Sequence, residues 1–394
     1  MNDIIVIVSI ARTPLCNLLG AFKNHTAHTL GACVIKALIE RTALSPADIQ
    51  EVLLGCVLSA GQGQAPARQA ALQAGLPVSV PCTTLNKVCG SGMKAVMLAH
   101  DIIRAGSATT MVAGGMESMT KAPYLINKGR QGYRLGHDVL YDHLVIDGLE
   151  DPNEHQPMGY FADNIAKKLG YTRKQQDDYA ISSFERAQFA TREGAFEAEI
   201  IPVSTLEKNE EMTIDQDEHP FSVPFEKIPT LPPLYHKEGT VTAGNGSAIA
   251  DGAAGLLLMS ETEAKKRGLI PLARIVGHSS SATTPAEFPL APIAAINHLL
   301  KKLHWTVNDV DLFEINEAFA VVTLATIDAL GIPREKVNIY GGACALGHPI
   351  GATGARLIVT LISALKQNQL KRGIASLCIG GGEATAIAIE VSDD

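Results

Sequence analysis

LIERTALSPADIQEVLL (Leu38–Leu54) and LLKKLHWTVNDVDLFEI (Leu299–Ile315) lie over one another without a gap at one constant offset, 309 − 48 = 261 residues. Each reads as the end of a helix, a polar turn holding Asp48 or Asp309, and an apolar strand. A second correspondence follows. Gly90 to Ile103 is glycine-rich and then amphipathic, with Met93, Val96, Met97 and Ile103 at helical spacing. It leads into MVAGGMES (Met111–Ser118). Gly347 to Leu365 is built the same way and leads into SLCIGGGEA (Ser376–Ala384). Two sequence-similar halves imply two similar βα units packed against each other in an α/β protein. The competing explanation is that βα units resemble one another everywhere.

Between the halves, Thr120 to Asn245 has no counterpart. It is rich in charge, proline and glycine, with helices expected over Tyr160–Leu169 and Arg173–Glu193. Thr172 is an N-cap for the second, and Gly194 follows its end. Such an insertion over a repeated scaffold is a substrate-binding element. The expected organisation is a first half over residues 1–262, carrying an inserted loop domain at about 119–249, and a second half over 270–394.

The bulk composition narrows the class of function. The 394 residues carry a formal net charge of −8 and no Lys/Arg cluster, which speaks against a nucleic-acid partner. The 46% hydrophobic content supports a large core. Seven cysteines are scattered without a CxxC pair or a zinc-like Cys/His spacing, so free thiols in a reducing compartment, the cytoplasm, are expected. No apolar run approaches membrane-spanning length. The stretch Val391–Asp394 carries no targeting tripeptide. Neither a phosphate loop nor a strict GxGxxG occurs, so the glycine clusters do not argue for a nucleotide cofactor.

The chemistry-bearing candidates sit in glycine-framed turns. Cys89, in NKVCGSGMKA (Asn86–Ala95), precedes a helix, where the dipole favours thiolate and the first amides are free to bind an oxyanion. His348 stands in GHPIGATG, between Gly347 and Pro349. Cys378 ends the run Ile374–Ile379 ahead of Gly380-Gly381-Gly382 and is a candidate acid or base. Asn316, in FEINEAFA, is placed to hold a water or a carbonyl oxygen. Each has a structural alternative: a buried helix-start cysteine, a satisfied histidine, a strand cysteine, a helix cap. Cys344 lies near His348 with no assigned role, and His25 and His28 read as surface polar residues. A nucleophile plus a separate acid/base group suits carbon–carbon bond chemistry on a thioester.

Five blocks together resemble the thiolases: NKVCGSGMKA, GGMESMTKAPY (Gly114–Tyr124), NEAFA (Asn316–Ala320), GGACALGHPIGATGAR (Gly341–Arg356) and LCIGGG (Leu377–Gly382). They stand in that family's order and spacing and cover nearly the whole chain. The resemblance implies a five-layered αβαβα fold and reversible condensation of two acetyl-CoA to acetoacetyl-CoA plus CoA. It implies that Cys89 is acylated, that His348 activates it and that Cys378 deprotonates the second acetyl-CoA. Asn316 would position a water in one oxyanion hole, and the amides of Cys89 and Gly380 would form another. Ser247, Ala243, Gly244, Met158, Ala318, Phe319 and Phe288 would contact the CoA arm or acyl group. No metal or redox cofactor is implied; the partners are the CoA thioesters and further copies of the chain, as a dimer or tetramer.

Several positions depart from the family's usual pattern. They are Tyr340 before GGA, Cys344, GGGEATA (Gly380–Ala386), QPMG (Gln156–Gly159) and Pro220-Phe221 near the expected CoA nucleotide. Phe288-Pro289 resembles relatives that accept a 2-methyl branch and bind potassium, but His219 stands where those have tyrosine. The competing functions are a longer-chain 3-ketoacyl-CoA thiolase, a decarboxylating condensing enzyme and a non-catalytic acyl-CoA-binding protein.

Overall fold

The computed structural model describes residues 3–207 and 210–391; the stretch 392–394 lies outside the described residues. In chain order the elements that build the site are β1 (Ile5–Arg12), α1 (Ala27–Glu40), β2 (Glu51–Gly55), α2 (Pro66–Gln73), β3 (Cys82–Leu85), α3 (Ser91–Arg104) and β4 (Thr110–Ser118). Then come α4 (Met158–Leu169), α5 (Arg173–Arg192), β5 (Ala250–Ser260), β6 (Ala273–Ala282), α6 (Ala291–Leu303), β7 (Leu312–Ile315), α7 (Ala320–Leu330), α8 (Thr353–Gln367), β8 (Arg372–Ile379) and β9 (Glu383–Val391).

The duplication is visible in the strand pairing. β1 pairs antiparallel with β5, β5 antiparallel with β4, and β4 parallel with β2. In the second half β6 pairs antiparallel with β9, β9 antiparallel with β8, and β8 parallel with β7. The order and the directions match one for one, and β3 extends the first set through a parallel pairing with β2. A short seam joins the sets, with Val6 opposite Arg274 and Ile7 opposite Ala273. The repeated turns are built identically. Ser45 and Asp48 form a reciprocal capping box around one 3₁₀ turn, and Thr306 and Asp309 form the same box 261 residues later.

Strand alternation sorts the core into layers. On β1, Ile5 and Ile7 enter a central cluster with α3 and α8, while Val6 and Val8 join α1 and α2 in an outer one. On β9, Ile387 and Ile389 point to the same central cluster, and Ala384, Ala386 and Ala388 pack under α6 and α7. The central cluster therefore receives side chains from both sets of strands. The result is helix, sheet, helix, sheet, helix, and strands buried on both faces read as continuous apolar runs. The two central helices touch where neither has a side chain. A methyl group on Gly354 would stand 2.4 Å from the Met93 amide nitrogen, and one on Gly92 would stand 2.9 Å from that of Ala355.

The segment between β4 and β5 lies across these layers. Thr172 caps α5 in a capping box with Gln175, as the sequence indicates, and α4 begins at Met158, directly after Pro157. Two buried polar contacts fasten the insertion. Arg12 of β1 donates to Glu199 at 2.5 Å and to both carboxylate oxygens of Asp217 at 2.7 and 2.9 Å. From α5, Tyr179 and Ser183 donate to the Glu317 carboxylate at 2.8 and 2.7 Å. Among the described residues, no helix is long and apolar enough to cross a membrane.

Candidate active site

The turn that delivers Cys89 is strained. Val88, a β-branched residue, has φ +47°, a conformation that costs energy and concentrates at functional sites. Local bonds hold it: Asn86 Oδ1 accepts from the Val88 amide at 2.8 Å, and Ser91 Oγ donates to the Val88 carbonyl at 2.7 Å. Gly90 then lets this turn close on β8, since a methyl group there would stand 2.4 Å from Ile379 Cδ1. Lys87 also bonds to Glu383 across the glycine turn that follows Cys378. The two cysteine turns, 289 residues apart (378 − 89), are thereby clamped together.

Their electrostatics confirm the contact. The Gly380 amide and the Cys89 amide act on the Cys89 sulfur and favour its charged form. Burial nonetheless pushes the thiol up to about 11, with a smaller upward push from Glu117. This corrects the expectation that the helix dipole leaves Cys89 as thiolate. The helix starts only at Ser91, and loss of water around the sulfur outweighs the amides. Burial, and then the charge of Cys89, hold Cys378 well above the ordinary thiol range. Cys89 is half-buried, packed against the cluster of Val57, Leu58 and Ile350; Cys378 is buried.

His348 completes the group. Its Nδ1 lies 2.6 Å from Thr353 Oγ1, whose single hydrogen goes to the Pro349 carbonyl at 2.9 Å. Thr353 must therefore accept, which places the ring proton on Nδ1 and leaves Nε2 as a bare lone pair. Burial and then the Arg356 charge lower the imidazole to about 3, so it is neutral at physiological pH. Asn316 presents Nδ2 to that Nε2 at 3.4 Å, while its Oδ1 is buried with no partner. Glu317 beside it accepts from Tyr179, Ser183, Asn338 and the Cys344 amide. Cys344 is thus a structural donor.

Sequence reasoning passed over Glu117. Its carboxylate accepts from the amides of Val57, Leu58 and Gly351 at 3.0, 3.1 and 2.9 Å, tying the wall behind Cys89 to the turn that carries His348. Burial raises it to about 7 despite those amides. A charged residue inside the apolar strand MVAGGMES is the signal that could have found it.

Family models match both parts of the chain: the N-terminal domain of thiolase over residues 5–262 and the C-terminal domain of thiolase over residues 269–391. The chain belongs to the thiolase family. An acetyl-CoA acetyltransferase of Thiocystis violacea is 46% identical over 99% of this chain and 100% of its own. A probable acetyl-CoA acyltransferase of Staphylococcus aureus is 45% identical over 98% of each. Among solved structures, the Bacillus anthracis acetyl-CoA acetyltransferase superposes with a TM-score of 0.97 at 42% identity, covering 100% of both chains. An Ascaris suum thiolase in complex with coenzyme A gives 0.95 at 40%, covering 99% and 100%.

In this thiolase a cleft of about 710 Å³ opens from His348 between the insertion and the repeated core. Met158, Ala243, Ser247 and Phe319 line it, as the resemblance implies. Ala318 and Phe288 sit one layer deeper, in an apolar cluster with Phe161 and Cys378. Gly244 faces Ile228 and Leu231 instead, where a methyl group would stand 2.7 Å from Ile228 Cγ1. Tyr235 was not foreseen. Its ring lies flat on Gly159, in space that any side chain there would fill, and walls the cleft.

Proposed function

We propose that the chain is an acetyl-CoA C-acetyltransferase that condenses two acetyl-CoA to acetoacetyl-CoA and CoA, and runs the reverse thiolysis. The observation that carries this reading is the approach of Cys89 to Cys378, with Cys89 packed beside Ile350 at the cleft that a neutral His348 also lines, its Nε2 unprotonated. His348 takes the Cys89 proton, and the thiolate attacks the first thioester carbonyl. The carbon–sulfur bond to CoA breaks, and CoA leaves with the Cys378 proton, so Cys378 becomes a thiolate while His348 keeps the Cys89 proton on Nε2. Thioester exchange of this kind is nearly balanced in free energy. Cys378, as thiolate, then removes a proton from the methyl carbon of a second acetyl-CoA. The resulting carbanion attacks acetyl-Cys89, the bond to Cys89 breaks, and His348 returns its Nε2 proton to the departing Cys89 sulfur, while Cys378 keeps the proton taken from the methyl carbon. Two acetyl groups enter, one acetoacetyl group and one CoA leave, and no electrons are exchanged.

The carbonyl oxygens carry the developing charge in both steps. The amides of Cys89 and Gly380 already converge on the Cys89 sulfur, which supports their service to acetyl-Cys89. The protonated Nε2 of His348, which holds the Cys89 proton at this stage, and a water on the unpartnered Asn316 Oδ1 serve the second thioester. The mostly apolar cleft suits a pantetheine arm, with Met158, Phe319 and Ser247 along it. Phe288 and Ala318, behind Cys378, limit acyl length. The two halves act as units over residues 1–262 and 270–394. Seven free cysteines support a reducing compartment, the cytoplasm. Exposed Tyr124, Leu135 and Leu140 support association of further copies as a dimer or tetramer.

Mass spectrometry after exposure to acetyl-CoA, combined with thiolysis rates, tests the assignment. Cys89→Ala is expected to show no acetyl adduct at the site and to lose about 10⁴-fold or more in rate. Cys378→Ala is expected to accumulate acetyl-Cys89 yet fail to condense it. Wild-type rates in either variant would refute the mechanism. In a chain-length series acetoacetyl-CoA should exceed medium- and long-chain 3-ketoacyl-CoA; the opposite order would make the chain a longer-chain thiolase.

A further inference from the structure

Away from the catalytic turn, the last turn of α3 meets β6 at three side chains that the mechanism leaves unused. His100 Nδ1 and His278 Nε2 each lie 2.9 Å from the same oxygen, Asp101 Oδ1. The two rings stand edge to face, 5.2 Å apart. All three ligand-capable atoms fall within 4.8 Å of one another, although His278 is 177 residues from Asp101. We propose that His100, Asp101 and His278 form a binding site for a divalent transition-metal ion of the zinc type, held by two imidazoles and one carboxylate.

The distances favour it. Tetrahedral ligands each about 2.05 Å from a common ion are separated by about 3.3 Å, and both observed edges, at 2.9 Å, lie within about 0.5 Å of that. The ligands come from a helix and a strand, which hold them more firmly than loops would. The Asp101 side chain is 51% exposed, so water reaches the remaining coordination positions.

The surroundings also select the ion. Lys94, Arg104 and Lys302 lie close enough to oppose positive charge, and the Lys302 ammonium donates to the His278 carbonyl at 3.1 Å. A weakly held hard cation is disfavoured there. An ion must form coordinate bonds to imidazole to remain, which points to the zinc end of the divalent series rather than to magnesium or calcium. His100 follows Cys89 by 11 residues (100 − 89), about 16 Å of helix. The ion is therefore structural, pinning the central helix of the first half to the first strand of the second.

Cobalt(II) and zinc(II) titrations of the full-length protein test this. Cobalt is expected to bind one equivalent with weak visible absorption and no thiolate-to-metal charge-transfer band. Zinc is expected to raise the melting temperature with concentration, as any ligand of the folded state does. Asp101→Asn, which keeps the size of the side chain and removes its charge, should weaken zinc binding at least about 10-fold and leave metal-free thiolysis unchanged; His278→Asn should behave alike. A charge-transfer band would show that the metal prefers cysteine sulfur and would overturn the proposal. So would binding that survives both substitutions, or no binding of either ion.

Discussion

Thr353 decides which nitrogen of His348 is basic. Its hydroxyl hydrogen is committed to the Pro349 carbonyl, so the oxygen can only accept, and the imidazole proton is drawn to Nδ1. Thr353→Val keeps the shape and removes the acceptor. Acylation of Cys89 should slow by about 10²-fold, the lower end of what a positioned base contributes. Thr353→Ser should restore most of it; equal rates in all three proteins would remove Thr353 from the mechanism. None of this is legible in the sequence, where Thr353 is one more small residue in GATGAR. The cysteines and His348 were legible because each sits in a glycine turn. The ionisation of Cys89 was not, since the desolvation that raises it comes from residues hundreds of positions away.

At the scale of elements, the crossing of α3 and α8 sets the distance between the Cys89 and His348 turns. Each helix begins just after one of them, and bare Gly92 and Gly354 let the two backbones touch. Gly354→Val would force the helices apart. Overpacking of this kind costs about 1–3 kcal/mol, read as a lowered denaturant midpoint, and activity should fall further than stability because both turns move. A variant with native midpoint and native rate would show that the crossing has slack. The element pattern itself was largely readable. The repeated turns carry the same capping box because the box is local chemistry, spelled by Ser45 and Asp48 or by Thr306 and Asp309. The seam between the halves was not readable, because Val6–Ile7 and Ala273–Arg274 carry no mark of their partners.

For the molecule as a whole, buried ionisable groups set the pH range of stability. Asp251, Glu117 and Glu314 are raised by burial to about 6, 7 and 8. They keep protons that the unfolded chain has released, so their contribution is present at low pH and is lost as pH rises through those values. His219 and His348, lowered by burial to about 4 and 3, act oppositely: the unfolded chain takes up their protons first as pH falls below 6.5. Stability to urea should therefore decline from about pH 6.5 toward pH 8, where only the carboxyls still act. Replacing the buried pair together, Glu314→Gln with Arg356→Met, should remove the part of the decline above pH 7. A profile still falling there in the double variant would assign it elsewhere.

Glu317 makes the insertion and the chemistry one mechanical unit. The carboxylate that grips Tyr179 and Ser183 of α5 belongs to the residue next to Asn316. A grafted insertion lacking that phenol and that hydroxyl would strand a negative charge beside the Asn316 amide. Chimeras built to alter acyl preference must carry both side chains along with the segment they borrow.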